Sequence, residues 1–185
     1  LQIDRTLDES RQVADAYYQS ASDDARLFGG RIAEQLKERR LLREEEREAL
    51  ATFVQEKQRD YHLGVVEVFS ATGEALVVAV NPDIPAANFS RPDSDLVSSA
   101  LRGQTTSRVE EVGGGSVIRS AVPIGASFRD GEAVGAVVVN HFVPFALSSK
   151  IAQIRFAHDE YRRLQPYAGH IERLYQLELM LFSLV

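Results

Sequence analysis

Two runs of β-branched and apolar residues, 116–124 and 133–143, constrain this chain more than any other feature. The second run contains AVGAVVVNHF, whose density of valine favours a strand over a helix. Between the runs, Phe128-Arg129-Asp130-Gly131-Glu132 carries turn chemistry, with Gly131 able to take a positive φ at no steric cost. The stretch therefore reads as a β-hairpin. Near the middle of its first strand one cation, Arg119, stands among apolar and small residues.

The flanking sequence reads as helices around a small sheet. Residues 4–38 form a long helix free of proline, with Ile3, Leu7, Ser10, Ala14, Tyr17, Ala21, Asp24 and Phe28 spaced alternately four and three apart. Val13, Leu27, Ile32 and Leu36 widen this stripe. Gly29-Gly30 costs about 1 kcal/mol per glycine against alanine and marks a kink or an end. So long a helix exceeds what a small domain covers. Its partner is either the C-terminal helix or a second copy, in a parallel homodimer through Ile3, Leu7, Ala14, Tyr17, Ala21 and Phe28.

After a charge-dense turn at 38–48, a second helix runs to about Tyr61 and ends at His62-Leu63-Gly64, with Gly64 as the capping signal. Strands follow at 65–70 and 76–80 around the turn Ala71-Thr72-Gly73-Glu74. Asp93 or Ser94 caps a short helix that runs through Leu101 and is closed by Gly103. A third strand covers 106–112, and Gly113-Gly114-Gly115 turns into the opening hairpin. From Pro144 the chain is helical again, with Ile151, Ile154, His158, Tyr161 and Leu164 in one stripe and Pro166 as a kink. The predicted class is α+β: about five antiparallel strands between a long N-terminal helix and a C-terminal helix. One domain, 1–185, is expected in three parts, 1–62 helical, 63–143 sheet and 144–185 helical.

The totals exclude several functions. A net charge of −6 and the absence of a basic stripe argue against nucleic acid as a partner. With no cysteine, disulfides and thiolate chemistry are unavailable. His62, His141, His158 and His170 are scattered, without the spacing of a helical metal site. The triple glycine is followed by a strand rather than a helix, so it is a turn and not a phosphate cradle. No catalytic set and no cofactor motif is present, so the fragment is expected to be non-enzymatic. His141, alternating with Asn140, is placed to edge a pocket, although a histidine satisfied by a neighbour is the commoner case. His158-Asp159-Glu160 reads as a solvated helix face.

The ends point to a fragment of a membrane protein. The chain opens at Leu1 and closes on an apolar run, 174–185, uncharged from Leu179 onward. That run falls short of the about 20 residues that span a bilayer. It reads as a transmembrane helix cut short, with a terminal amphipathic helix as the alternative.

The element order and the hairpin residues resemble the extracytoplasmic Cache (PAS-like) sensor domains of bacterial membrane receptors. The match is carried by Ile118-Arg119-Ser120-Ala121-Val122-Pro123-Ile124 and, after the turn, Val134-Gly135-Ala136-Val137-Val138-Val139. The hairpin over 65–80 is similar to that family's first two strands. Asp159-Glu160-Tyr161-Arg162-Arg163-Leu164 before the apolar run is similar to the segment entering the second transmembrane helix of NtrY-type sensor histidine kinases.

The resemblance implies a single Cache domain, periplasmic and anchored in the inner membrane by its flanking helices. It implies a domain that relays a stimulus to a cytoplasmic kinase. The sensor of a chemoreceptor or cyclase, and a ligand-free dimerisation module, are the alternatives. It also implies that Arg119 contacts a small anionic ligand; Asn140 and His141 are added as candidate ligand contacts from the residues themselves. The other reading of Arg119 is a stem over apolar surface with its head at solvent or at a carboxylate such as Glu67, Glu110 or Glu111.

Overall fold

The computed structural model describes residues 2–84, 92–112, 115–125, 133–160 and 162–163. The expected turns at 113–114 and 128–132, Pro166 and the apolar run 174–185 lie outside the described residues. The elements are α1 (Gln2–Glu38), a single 3-10 turn (Glu44–Glu46), α2 (Arg47–Asp60), β1 (Val65–Ser70), β2 (Ala75–Val80), α3 (Ser94–Leu101), β3 (Thr106–Val112), β4 (Gly115–Ile124) and β5 (Gly135–Pro144). A last helix, α4, covers residues 145–160. Among the described residues no helix is long and apolar enough to cross a membrane. The chain divides into one unit of Tyr17–Ser148 and another of Leu1–Ala16 with Ser149–Val185.

The larger unit is built on a five-stranded antiparallel sheet in the order β2-β1-β5-β4-β3. The α+β class and all five strands agree with the sequence. The opening hairpin pairs over ten residues, from Gly115↔Pro144 to Ile124↔Gly135. It occupies the centre of the sheet, so both of its faces are covered. That is why its strands read as near-continuous apolar runs instead of a polar–apolar alternation.

The pleat sorts residues between two layers. On one face Val66, Val68, Val122, Ile124, Val137 and Val139 pack with Ile32 and Leu36 of α1 and Leu50, Phe53 and Val54 of α2. Ile118 and Val143 continue that face under Ala21, Tyr17 and Tyr18. On the other face Phe69, Ala121, Ala136 and Val138 pack under Leu96, Val97 and Ala100 of α3. A fully buried Val, Leu or Ile contributes about 1.5–3 kcal/mol, so these layers hold the unit together.

The helix over Gln2–Glu38 is unbroken at Gly29-Gly30. Ala21, Ala25 and Gly29, four apart, form a small-residue ridge that lets α1 approach the sheet, and buried Ile32 and Leu36 extend it. A Cβ on Gly29 would stand 2.9 Å from Val122 Cγ2, whereas one on Gly30 would meet nothing within 4 Å. Four residues of the expected dimer seam have partners within the chain itself. Ala14 and Ala21 are buried, Tyr17 packs on Ile118 and Val143, and Phe28 stacks on Tyr61 at 4.5 Å between ring centroids. The chain itself uses that stripe, and the side chains of Ile3 and Leu7 lie outside the described residues. A heptad pattern reports an apolar face but not what covers it.

The end of α2 also departs from expectation. The residue with positive φ is His62, at 51°, not Gly64. The His62 N–H donates to Arg59 O at 3.1 Å and the Leu63 N–H to Gln58 O at 2.9 Å, the paired bonds of a Schellman cap. Gly64 already belongs to the sheet, donating to Asn140 O at 2.8 Å. Because a non-glycine residue in this conformation is strained, His62→Gly is expected to stabilise the protein by about 0.5–1 kcal/mol. The midpoint of a urea titration checks this.

Candidate ligand site

The site begins with register. Arg119 of β4 stands opposite Arg108 of β3 and Asn140 of β5. Asn140 stands opposite Val65 of β1, two residues from Glu67. Alternation places Arg119, Asn140, Glu67 and Glu110 on the α3 side of the sheet, on a stretch next to the patch that α3 covers. Four separate strands thus bring one cation, one amide and two carboxylates together.

Arg119 is 0% exposed, and its Nε lies 2.8 Å from Glu110 Oε2 on the neighbouring strand. A buried guanidinium is tolerated because a carboxylate meets it; unpaired, it would cost several kcal/mol. The sequence named Glu110 as one candidate partner, and the register selects it. Asn140 Nδ2 donates to Glu67 Oε2 at 3.3 Å, which orients the amide. Its Oδ1 is buried and has no hydrogen-bond partner among the described residues. At the rim, Arg108 Nη1 lies 3.4 Å from Asp93 Oδ2, tying β3 to the residue before α3. Chemically, a guanidinium fork suits a planar carboxylate and a vacant amide oxygen suits an N–H or O–H donor. Among the described residues no group of three or more His, Asp and Glu side chains is placed to hold a metal ion.

His141 is not part of this cluster. One residue after Asn140, it points to the α1 face, with Asp24 of α1 near enough to act on it electrostatically. The sequence had grouped the two, and the two-residue period of a strand separates them. Burial pushes the His141 pKa below 6.5, and Asp24 opposes the shift. The folded state therefore binds fewer protons than the unfolded state in the window below pH 6.5. The resulting stabilisation is complete above that value and is lost as pH falls through the lowered pKa. His141→Gln is expected to flatten the fall in urea midpoint between about pH 7.5 and pH 5.

A second cluster was missed as a site. In the smaller unit the start of α1 and α4 run antiparallel. Asp15 Oδ1 accepts from Arg155 Nη2 at 2.6 Å and from Nε at 3.0 Å. His158, read as solvated, is 2% exposed; its Nε2 lies 2.6 Å from Asp8 Oδ1 and its Nδ1 3.3 Å from Arg11 Nη1. The signal was its position: His158 continues the Ile151–Ile154 stripe, so it faces the helix pair. Asp159 beside it is exposed, as expected.

No family model and no curated protein matches this sequence. Solved structures do match its fold. The sensor domain of DcuS from E. coli is 14% identical, with a TM-score of 0.51 over 74% of this chain and 96% of that one. The sensor domain of the V. cholerae histidine kinase DctB is 13% identical, with a TM-score of 0.57 over 83% of this chain and 60% of that one. The ligand-binding domain of the Campylobacter jejuni chemoreceptor Tlp3, solved with L-norvaline, is 15% identical, with a TM-score of 0.53 over 82% and 59%. The chain thus spans nearly all of the DcuS domain and about 60% of the other two. With its five-stranded antiparallel sheet, long first helix and matches to these three domains, the chain has the fold of a Cache-like (PAS-like) sensor domain.

Proposed function

We propose that residues 1–185 form the extracytoplasmic sensor domain of a membrane-bound histidine kinase of the NtrY type, held in the inner membrane by its flanking helices. A small ligand is received on the α3 side of the sheet at Arg119 and Asn140. The observation that carries this reading is the buried Arg119–Glu110 pair beside Asn140, whose Oδ1 lacks a donor among the described residues. The ligand that fits is a small carboxylate that also bears an N–H or O–H donor, the carboxylate for Arg119 and the donor for Asn140 Oδ1. The amino-acid complex of Tlp3 is in keeping with that class. His141 has no role in it, because it lies on the α1 face.

The relay runs through α1 and α4. Their contacts, Asp8 with His158 and Asp15 with Arg155, are the points at which a change in helix position is felt. Relay requires that the ligand favour one of two helix arrangements.

A second reading is a structural module without a ligand. Closure of Arg119 onto Glu110 favours it, since the guanidinium already has a partner. One experiment separates the two. The isolated domain is screened by thermal unfolding against small carboxylates and amino acids. A specific ligand at 100 times its Kd adds about 2.7 kcal/mol to the folded state. That gain is expected to vanish in Arg119→Lys, which keeps the charge and loses the fork, and to shrink in Asn140→Ala. A ligand whose effect survives both substitutions sinks the assignment of the site. A screen without any stabilising compound supports the structural module.

A further inference from the structure

The α1 side of the larger unit carries a groove of about 580 Å³, lined by one flank of α1 and the end of β4. Its volume lies in the range of small-molecule sites, about 300–1,000 Å³. The floor is apolar: Val122, Pro123, Ala33 and Leu27, the last 49% exposed in a position where a soluble helix normally carries a polar residue. Pairing with β3 stops at Thr106↔Ala121, so among the described residues the last residues of β4 have no strand partner on that edge, beneath the groove. Pro123 has no N–H to offer there, which makes the edge a poor template for an added strand and leaves it as apolar surface.

The rim is cationic in a chain of net charge −6. Arg26, Arg31 and Lys37 face a single carboxylate, Glu34. Arg26 is held by Asp23 one turn away. Arg31 and Lys37 have no ion-pair partner among the described residues. The Lys37 stem lies beside Gly125 at the end of β4, where a Cβ would come within 3.5 Å of its Cδ. Its ammonium is thereby placed at the groove. Gly30 leaves the middle of the groove open.

From this combination we infer that the groove binds a single-chain anionic amphiphile, its apolar tail on Val122, Pro123 and Leu27 and its carboxylate or phosphate head at Arg31 and Lys37. The site is separate from the Arg119 cluster, which lies on the opposite face of the sheet, and does not depend on it.

Isothermal titration of the whole chain with dodecanoate, below its micelle concentration, tests the inference. Saturable one-to-one binding is expected. It should weaken at least about tenfold in Arg31→Glu/Lys37→Glu, where the charge-assisted contacts are reversed. Gly30→Leu, whose side chain enters the open space without meeting backbone, should weaken it comparably while leaving helical content unchanged. Dodecanol, with the same tail and no charge, should bind at least about tenfold more weakly than dodecanoate. The inference is overturned if dodecanoate shows no saturable binding, if both variants bind as the parent does, or if dodecanol binds equally well.

Discussion

Replacing Arg119 with alanine is expected to cost about 3 kcal/mol of folding free energy, the lower end of the loss seen when one partner of a buried ion pair is removed. The guanidinium is fully buried, and Glu110, its partner at 2.8 Å, is about a quarter exposed. Truncation leaves Glu110 without its cation and opens a void between β3 and β5 at the centre of the sheet. Water reaching Glu110 offsets part of the loss, which is why the lower figure applies. Urea unfolding monitored by circular dichroism measures it. Arg119→Met keeps most of the stem and should lose less than the alanine variant. Arg119→Met with Glu110→Met should lose less than the sum of the single changes, because each single change strands the other partner. An Arg119→Ala loss below about 1 kcal/mol would mean that the head is solvated in solution. The burial also bears on function: alanine at 119 confounds folding with binding, so the lysine variant is the informative one for ligand work.

Two adjacent glycines in α1 should respond in opposite directions. Gly29→Val drives three carbons into the seam between α1 and the sheet, where even a Cβ would stand 2.9 Å from Val122 Cγ2 and 3.5 Å from Val139 Cγ2. Valine side chains have little rotamer freedom with which to yield. The expected cost is about 3 kcal/mol, at the upper end of overpacking effects. Gly30→Ala meets nothing within 4 Å and should stabilise the helix by about 1 kcal/mol. Chemical denaturation of the two variants side by side provides the check. Similar effects at both positions would contradict the orientation of α1 on the sheet.

Much of the fold was legible because strand and helix periodicities are local. Valine density over 135–139 identified β5, and the apolar run at 65–69 identified β1. The apolar stripe from Ala14 to Leu36, interrupted at Asp24, identified α1. The misreadings share one cause. Gly64 was taken as the cap of α2 because glycine adopts positive φ most easily. The chain places His62 there instead, and the Gly64 N–H donates to Asn140 O where β1 begins to pair. Ala14, Tyr17, Ala21 and Phe28 were offered either to the C-terminal helix or to a second copy, because the pattern marks an apolar face without naming its cover. His158 was assigned to solvent from its charged neighbours, although its place in the stripe with Ile151 pointed inward.

The candidate site divides in the same way. The sequence by itself determined that Arg119 lies within a strand and that the order of elements is helix, helix, sheet, helix. Those properties depend on residues within a few positions of one another. Only the tertiary structure decided that Arg119 meets Glu110, that Asn140 reaches Glu67, and that α1 covers the His141 face. Register between strands and the choice of covering helix depend on groups far apart in the chain. They are set by the packing of all the layers together, which no local pattern encodes.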